Sequence, residues 1–288
     1  MATNQTTQYR DLSQPLVSVC IPAYNNGRFI SATLQSVLRQ TYDNLEIIVC
    51  DDHSADDTVE VARRCQDARI LLLQNNTNLG MAGNWNKALA MAQGRYVKMM
   101  GADDMLYPDC IAKQVAGLEY PAHAEAVLAV CNTDVINAAD RTVIRRRFRF
   151  RRGLVPGNEV IRKCVRWGAN LVGEPVVGLF RRDLLPRSGM YRDANPYMLD
   201  VLFWAELLKH GPAFMDEERL VAFRISPGSA SARFGWKQAA YTCDFVRRMH
   251  RDPFHRPNRL EVFCGHFLAF PRCILRNLLI NLRSGPRG

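Results

Sequence analysis

The sequence predicts an α/β fold: a mostly parallel, Rossmann-like sheet flanked by helices, with a helical extension at its C-terminal end. Three observations lead there. From Leu16 to Met100, short apolar runs and helical patterns alternate at regular intervals, the rhythm of parallel strands joined by crossover helices. Two of those runs stop abruptly on adjacent carboxylates about fifty residues apart, at Asp51-Asp52 and at Asp103-Asp104. A buried parallel strand delivers its last side chains to the carboxyl edge of the sheet, where open α/β folds hold ligands. The last thirty residues, Arg259 to Gly288, are basic and amphipathic.

Taken in order, residues 1–15 read as a polar lead-in ending at Pro15, and Leu16–Ile21 as a buried strand stopped by Pro22. Arg28 to Gln40 places Phe29, Ile30, Leu34, Val37 and Leu38 at helical spacing. Leu45–Cys50 is a second strand. Ser54 reads as the cap of a helix running to about Gln66, with Asp56 and Asp57 in its first turn. Arg69–Gln74 is a third strand, Met81–Ala92 a helix closed by Gly94, and Tyr96–Met100 a fourth strand. Ala126–Cys131 is a further strand, followed by the acid and amide cluster Asn132, Asp134, Asn137 and Asp140.

Arg145 to Arg152 holds six arginines in eight residues. As a strand it sets Arg145, Arg147, Arg149 and Arg151 on one face, with Phe148 and Phe150 on the other. Such a strand is either a solvated basic hairpin or a cationic strip facing phosphate or an anionic membrane. In the tail, Leu260, Val262, Phe263, Phe267, Leu268, Phe270, Ile274, Leu275, Leu278, Leu279, Ile280 and Leu282 alternate with Arg259, Arg272, Arg276 and Arg283, and Pro271 is expected to kink or split the helix. This segment either packs on the preceding domain or lies in a membrane interface. The expected organisation is a lead-in over 1–15, a catalytic domain over 16–240 and a basic amphipathic tail over 241–288.

A hydrophobic content of 48% and a charged content of 23% are those of a chain with ample core. The net charge of +10 attracts polyanions: nucleic acid, anionic lipid or diphosphate-bearing substrates. No nucleic-acid recognition motif accompanies it, so no nucleic-acid partner is expected. Nine scattered cysteines without a C-x-x-C pair predict buried free thiols in a reducing compartment. Met1 to Gln14 has no apolar core, and no uncharged apolar run reaches spanning length. The expected location is the cytoplasm, with peripheral contact at the inner face of the plasma membrane.

The paired aspartates admit three roles: helix N-caps, a metal site, or acceptors for ribose and base. Neither G-x-G-x-x-G nor G-x-x-x-x-G-K-[ST] occurs, so nicotinamide and P-loop chemistries are unsupported. Without a glycine cradle for phosphates, a cation has to neutralise them, and the site reads as metal plus nucleoside diphosphate.

Five motifs in order carry a resemblance: Val17-Ser-Val-Cys-Ile-Pro-Ala-Tyr-Asn25, Ser36-Val-Leu-Arg-Gln-Thr-Tyr42, Asp51-Asp52-His53-Ser54 with Asp57-Thr58, Asn78-Leu-Gly80, and Ala102-Asp103-Asp104. Together they resemble the bacterial family 2 glycosyltransferases of the GT-A fold. The likeness continues through Gly173-Glu174-Pro175, Leu199-Asp200 with Phe203-Trp204, and Phe223-Arg224 with Ser226, Gly228 and Ser229, covering about residues 16–235.

The resemblance implies a nucleotide-diphosphate-sugar donor and a saccharide or lipid-linked acceptor. It implies that Pro22, Tyr24, Asn25, Asp51, Asp52, Gly80, Asn84 and Asp103 hold the nucleotide sugar. Asp103 and Asp104 would bind a divalent metal, Mn2+ or Mg2+. Glu174 and Arg224 would face the acceptor, and Asp200 would be the base of a metal-assisted inverting displacement. A plain turn aromatic is the competing account of Tyr24, and a helix-start acid that of Asp200. Two positions depart from the family pattern. Gly101 stands where the family often has the first Asp of D-x-D, and Ser226 where it often has His. A catalytically inactive nucleotide-sugar-binding homologue is the alternative those departures leave.

Overall fold

The computed structural model describes residues 14–147, 150–192, 195–225 and 234–283, with side chains described as far as 275. Its first half is the alternation expected. Strands β1 (Val17–Ala23), β2 (Leu45–Asp51), β3 (Ile70–Gln74) and β4 (Tyr96–Met99) are parallel and lie in the order β3-β2-β1-β4. Helices α1 (Gly27–Leu38), α2 (Thr58–Arg63) and α3 (Gly80–Met91) connect them. Every residue of β1 is buried, which is why its run reads as continuously apolar rather than alternating.

The second half turns the sheet mixed. After β5 (Met105–Leu106) and α4 (Cys110–Glu119), the long buried strand β6 (Leu128–Ile136) forms a hairpin with β7 (Thr142–Arg146). Then come β8 (Gly153–Val155), α5 (Gly157–Trp167), β9 (Gly178–Arg181), the short α6 (Leu185–Ser188), α7 (Leu199–Leu207) and β10 (Ala213–Arg224). β9 runs antiparallel between β4 and β6, and β10 lies parallel to β6 with β5 on its far side. Two helices close the chain, α8 (Lys237–Arg251) and α9 (Arg259–Arg283).

Several expectations are corrected. Helix α2 begins at Thr58, and Ser54 does not cap it. The carboxylate of Asp56 accepts the Thr58 N–H at 3.1 Å, while the Ser54 hydroxyl donates to Asp51 at 2.5 Å. An Asp two residues before a helix start competes well for that N–H, and a carboxylate beside Ser54 draws its hydroxyl away. The Arg145–Arg152 segment is not one strand: β7 ends at Arg146 and β8 starts at Gly153. Arg145, Arg147, Arg151 and Arg152 are exposed and Phe150 is buried; Phe148 and Arg149 lie outside the described residues. Helix α9 passes through Pro271 unsplit. Pro271 itself is exposed.

All nine cysteines are free; seven are buried, and Cys65 and Cys264 are partly exposed. Among the described residues no helix is long and apolar enough to cross a membrane.

Candidate active site

β1 is the axis of the site. Its last residue, Ala23, pairs with Asp51 at the end of β2, and Cys20 pairs with Met99 at the end of β4. The backbone N–H of Asp52 donates to Ala23 O at 2.8 Å and that of Met100 to Cys20 O at 3.0 Å. The two acidic pairs therefore flank the same strand end at the carboxyl edge of the sheet.

On the β2 side Asp51 is fully buried and accepts both the Ser54 N–H, at 3.1 Å, and its hydroxyl. Asp52 Oδ1 accepts Leu79 N–H and Asn75 Nδ2, each at 2.8 Å. Asn75 also donates to Asn84 Oδ1 at 3.0 Å, and Asn84 donates to Cys50 O at 2.9 Å. Buried polar groups of this kind hold shape only when each has a partner. Asn84 is thus a buried brace behind Asp52. Pro22 is buried in β1, whereas Tyr24 is 44% exposed at the rim. Asn25, at φ +53°, donates its N–H to Ser54 Oγ at 2.9 Å and accepts Ala55 N–H at 2.9 Å. Gly80 opens α3 at φ +74°, a conformation that favours glycine.

On the β4 side a tight turn presents Asp103 and Asp104. Asp104 Oδ1 accepts the Arg224 N–H at 3.0 Å and Oδ2 the Gly101 N–H at 3.3 Å. Thr33 shares its hydroxyl between Ala102 O, at 2.9 Å, and Asp104 O, at 2.8 Å. The Arg224 side chain is buried beneath the turn. It donates to Asp103 O at 2.7 Å, Asn137 O at 2.9 Å and Asp140 Oδ1 at 2.5 Å, with its guanidinium 4.6 Å from the Phe29 ring centre. Burial raises both carboxyls above the usual carboxylate range; the Asp103 charge adds to the rise in Asp104, and the Arg224 charge works against it in Asp103. Glu174 lies close enough to add to the rise in Asp104 and is paired with Arg146 at 2.6 Å. Arg224 thus supports the carboxylate turn from below, and Ser226 lies outside the described residues.

Asp200 occupies the first turn of α7, half-buried. Tyr191, just upstream, stacks on Phe203 at 4.2 Å and meets Trp85 of α3 edge-on at 4.9 Å. Burial, and then the Asp200 charge, push its phenol well up. Asn75, Asn86, Thr33 and Tyr191 are residues that sequence reasoning missed. Asn75 follows directly on β3, a position readable as a strand-end polar; Asn86 and Tyr191 carry no local signal. Asp140 belonged to the acid and amide cluster, but its partner Arg224 is 84 residues away.

The acidic turn fits a hard divalent cation. Two adjacent carboxylates are held above their ordinary pKa, and one added positive charge relieves both. Among the described residues no group of three or more His, Cys, Asp or Glu gathers as a protein cage. That donor set suits Mg2+ or Mn2+, which keep water and take phosphate oxygens beside one or two carboxylates.

Known structures share this architecture. S. aureus TarS residues 1–349 in complex with UDP-GlcNAc align with a TM-score of 0.66 at 16% identity, covering 84% of this chain and 68% of that one. The mannosyltransferase PcManGT from Pyrobaculum calidifontis, in complex with GDP-Man and Mn2+, gives 0.64 at 21% identity, over 96% and 76%. The fold is the GT-A fold of glycosyltransferases. Residues 18–187 match the model described as Glycosyl transferase family 2, and the chain belongs to that family.

Among its relatives, an uncharacterized protein of Mycobacterium tuberculosis is 34% identical over 200 residues, 68% of this chain and 63% of that protein. The Escherichia coli UDP-Glc:alpha-D-GlcNAc-diphosphoundecaprenol beta-1,3-glucosyltransferase WfaP is 44% identical over 104 residues, 36% of this chain and 41% of its own length. The chain thus spans less than two thirds of either relative.

Proposed function

We propose that this protein transfers a sugar from a nucleoside-diphosphate-sugar donor to a saccharide or lipid-linked acceptor by inverting displacement, in the synthesis of a cell-surface polysaccharide. The observation that carries the reading is the convergence of Asp51-Asp52 and Asp103-Asp104 on either side of the β1 end. The E. coli relative named for a diphosphoundecaprenol acceptor supports a lipid-linked substrate, and with it work at the inner face of the membrane.

In this reading the β2 edge, from Pro22 to Asn25 with Asp51 and Asp52, holds the nucleoside, with Tyr24 against the base. Gly80 opens α3 beside the donor, and Asn84 keeps Asp52 in place. Asp103, backed by Asp104, would hold the divalent cation; when bound, that ion neutralises charge growing on the leaving diphosphate. Asp200 accepts the proton of the acceptor hydroxyl as that oxygen attacks the anomeric carbon from the face opposite the nucleotide. Glu174 stands on the acceptor side of the carboxylate turn, and Arg224 supports that turn from beneath.

The test is a thermal-shift panel of UDP-, GDP- and dTDP-sugars with and without Mn2+, followed by transfer assays with the donor it selects. A ligand that binds only the native state raises its melting temperature. A Mn2+-dependent rise with one nucleotide class is expected, and none with any class overturns the reading. Asp200→Asn is expected to keep that rise and to lower transfer by about 10²–10⁴-fold. Unchanged transfer removes Asp200 as the base.

A further inference from the structure

Helix α9 is inverted relative to an ordinary surface helix. Its inner face is small: Gly265 meets α5 so closely that a Cβ there would lie 2.2 Å from Val165 O, and Ala269 and Cys273 are buried beside it. Its outer face carries the large apolar residues. Leu260, Phe263, Phe267, Phe270 and Ile274 follow at steps of three and four and are 65%, 67%, 67%, 62% and 47% exposed. A helix that packs on a domain and ends in water shows the reverse pattern. A contiguous apolar strip of this kind marks an interaction site.

Charge identifies the occupant. From Pro253 to Gly288 the chain has one acidic residue, Glu261, against a run of arginines. Glu261 is already paired with Arg162 at 3.0 Å. Arg256 and Arg259 are exposed beside the first turn of the strip. A second copy docking strip to strip would bring arginines together without acids to meet them, which opposes self-pairing. Lipid phosphates supply that negative charge, and phenylalanines suit the boundary between headgroup and acyl chain. Trp236 is 70% exposed where α9 meets the start of α8, with Cys273 Sγ 3.8 Å from Trp236 O. Exposed indoles are typical of membrane interfaces.

We propose that the outer face of α9 docks flat on an anionic bilayer, with Leu260, Phe263, Phe267, Phe270 and Ile274 in the interface and Arg256 and Arg259 at lipid phosphates. The docking rests on the lipid-linked reading of the acceptor and gives it a geometry. Phe234, two residues before Trp236, packs edge-on against Tyr197 at 5.8 Å, and Tyr197 lies three residues before Asp200. The start of α8, against which the inner face of α9 packs, is thereby joined to the turn that precedes the proposed base.

The full chain is to be sedimented with phosphatidylcholine vesicles, with and without phosphatidylglycerol, at low and high salt. Binding is expected only with the anionic lipid, weakened by salt. Phe263→Ser/Phe267→Ser/Phe270→Ser is expected to lower it at least about tenfold, and Arg256→Glu/Arg259→Glu to abolish its salt dependence. Because the three phenylalanines are exposed, the variant is expected to keep the wild-type melting temperature and nucleotide-induced shift. Failure of the wild type to sediment with anionic vesicles overturns the proposal, as does a triple variant that binds undiminished. So does light scattering that shows a wild-type dimer split by the same substitutions. Vesicle binding is measured without turnover: if binding is present but no nucleotide sugar is used, the docking stands and the catalytic reading falls.

Discussion

The Asn86 side chain grips the backbone of Tyr191 from both sides: its Nδ2 donates to Tyr191 O at 2.8 Å, and its Oδ1 accepts the Tyr191 N–H at 2.9 Å. Asn86 belongs to the helix that starts beside Asp52, and Tyr191 to the segment that leads into Asp200. One amide thus ties the proposed nucleotide side of the site to the side that carries the proposed base. Asn86→Ala frees that segment without touching the donor edge. The expected outcome is a fall in kcat of about tenfold to hundredfold, since a misplacement near 1 Å is enough for it. The dissociation constant for the donor nucleotide, by calorimetry, is expected to stay within about twofold.

Gly101 has a reason to be small. A Cβ there would lie 2.8 Å from Asp103 Oδ1 and 3.1 Å from Asp104 Oδ2. Asp104 is pinned by Arg224 and Gly101, so Asp103 is the group that gives way. Gly101→Ala is expected to weaken Mn2+-dependent donor binding by about 10–100-fold, the range for disturbed support around metal ligands. Metal-free nucleotide binding is expected to change little, and calorimetry with and without Mn2+ separates the two.

Arg224 holds three oxygens of two different loops, the carboxylate turn and the β6–β7 hairpin, and Lys cannot reproduce its planar fork. Arg224→Lys is expected to lower unfolding free energy by about 2–3 kcal/mol, measured by urea titration. The same variant is expected to lose the Mn2+-dependent part of donor binding, because the Asp103 carbonyl is no longer held.

His255 supplies the pH dependence. Its Nε2 donates to Ala205 O of α7 at 3.0 Å, and its Nδ1 is buried without a partner among the described residues. Burial lowers its pKa, while the Ala205 carbonyl and the charges of Asp252 and Glu206 pull upward and Lys209 pulls down. The folded protein therefore binds fewer protons than the unfolded chain just below the ordinary His value of about 6.5. Stability is independent of this group above that pH and falls as pH drops through it. His255→Gln keeps a donor for Ala205 and is expected to reduce the loss of urea midpoint between about pH 7 and pH 5. An unchanged loss removes His255 as its source.

Much of the fold was legible in the sequence because strand and helix periodicity are local. The four parallel strands and their helices lie within two or three residues of where the apolar runs place them; Asp51 ends β2, whereas Asp103 and Asp104 sit in a turn just beyond the end of β4. The family motifs are local as well, so the family was readable from them. What misled was also local: Ser54 looks like a cap until Asp51 is seen to claim its hydroxyl, and the arginine run looks like one strand until Phe150 turns inward.

The sequence by itself determined the rhythm of the sheet, the sites of its carboxylate pairs and the amphipathic character of the tail. Tertiary structure alone decided that the Arg224 backbone N–H would cap Asp104 across 120 residues, that Asn86 would clamp Tyr191 across 105, and which face of α9 would meet the domain. Those pairings depend on strand order and helix docking. Their energy arises only once distant segments are brought together and the cost of closing the intervening chain is met, so no window of neighbouring residues records them.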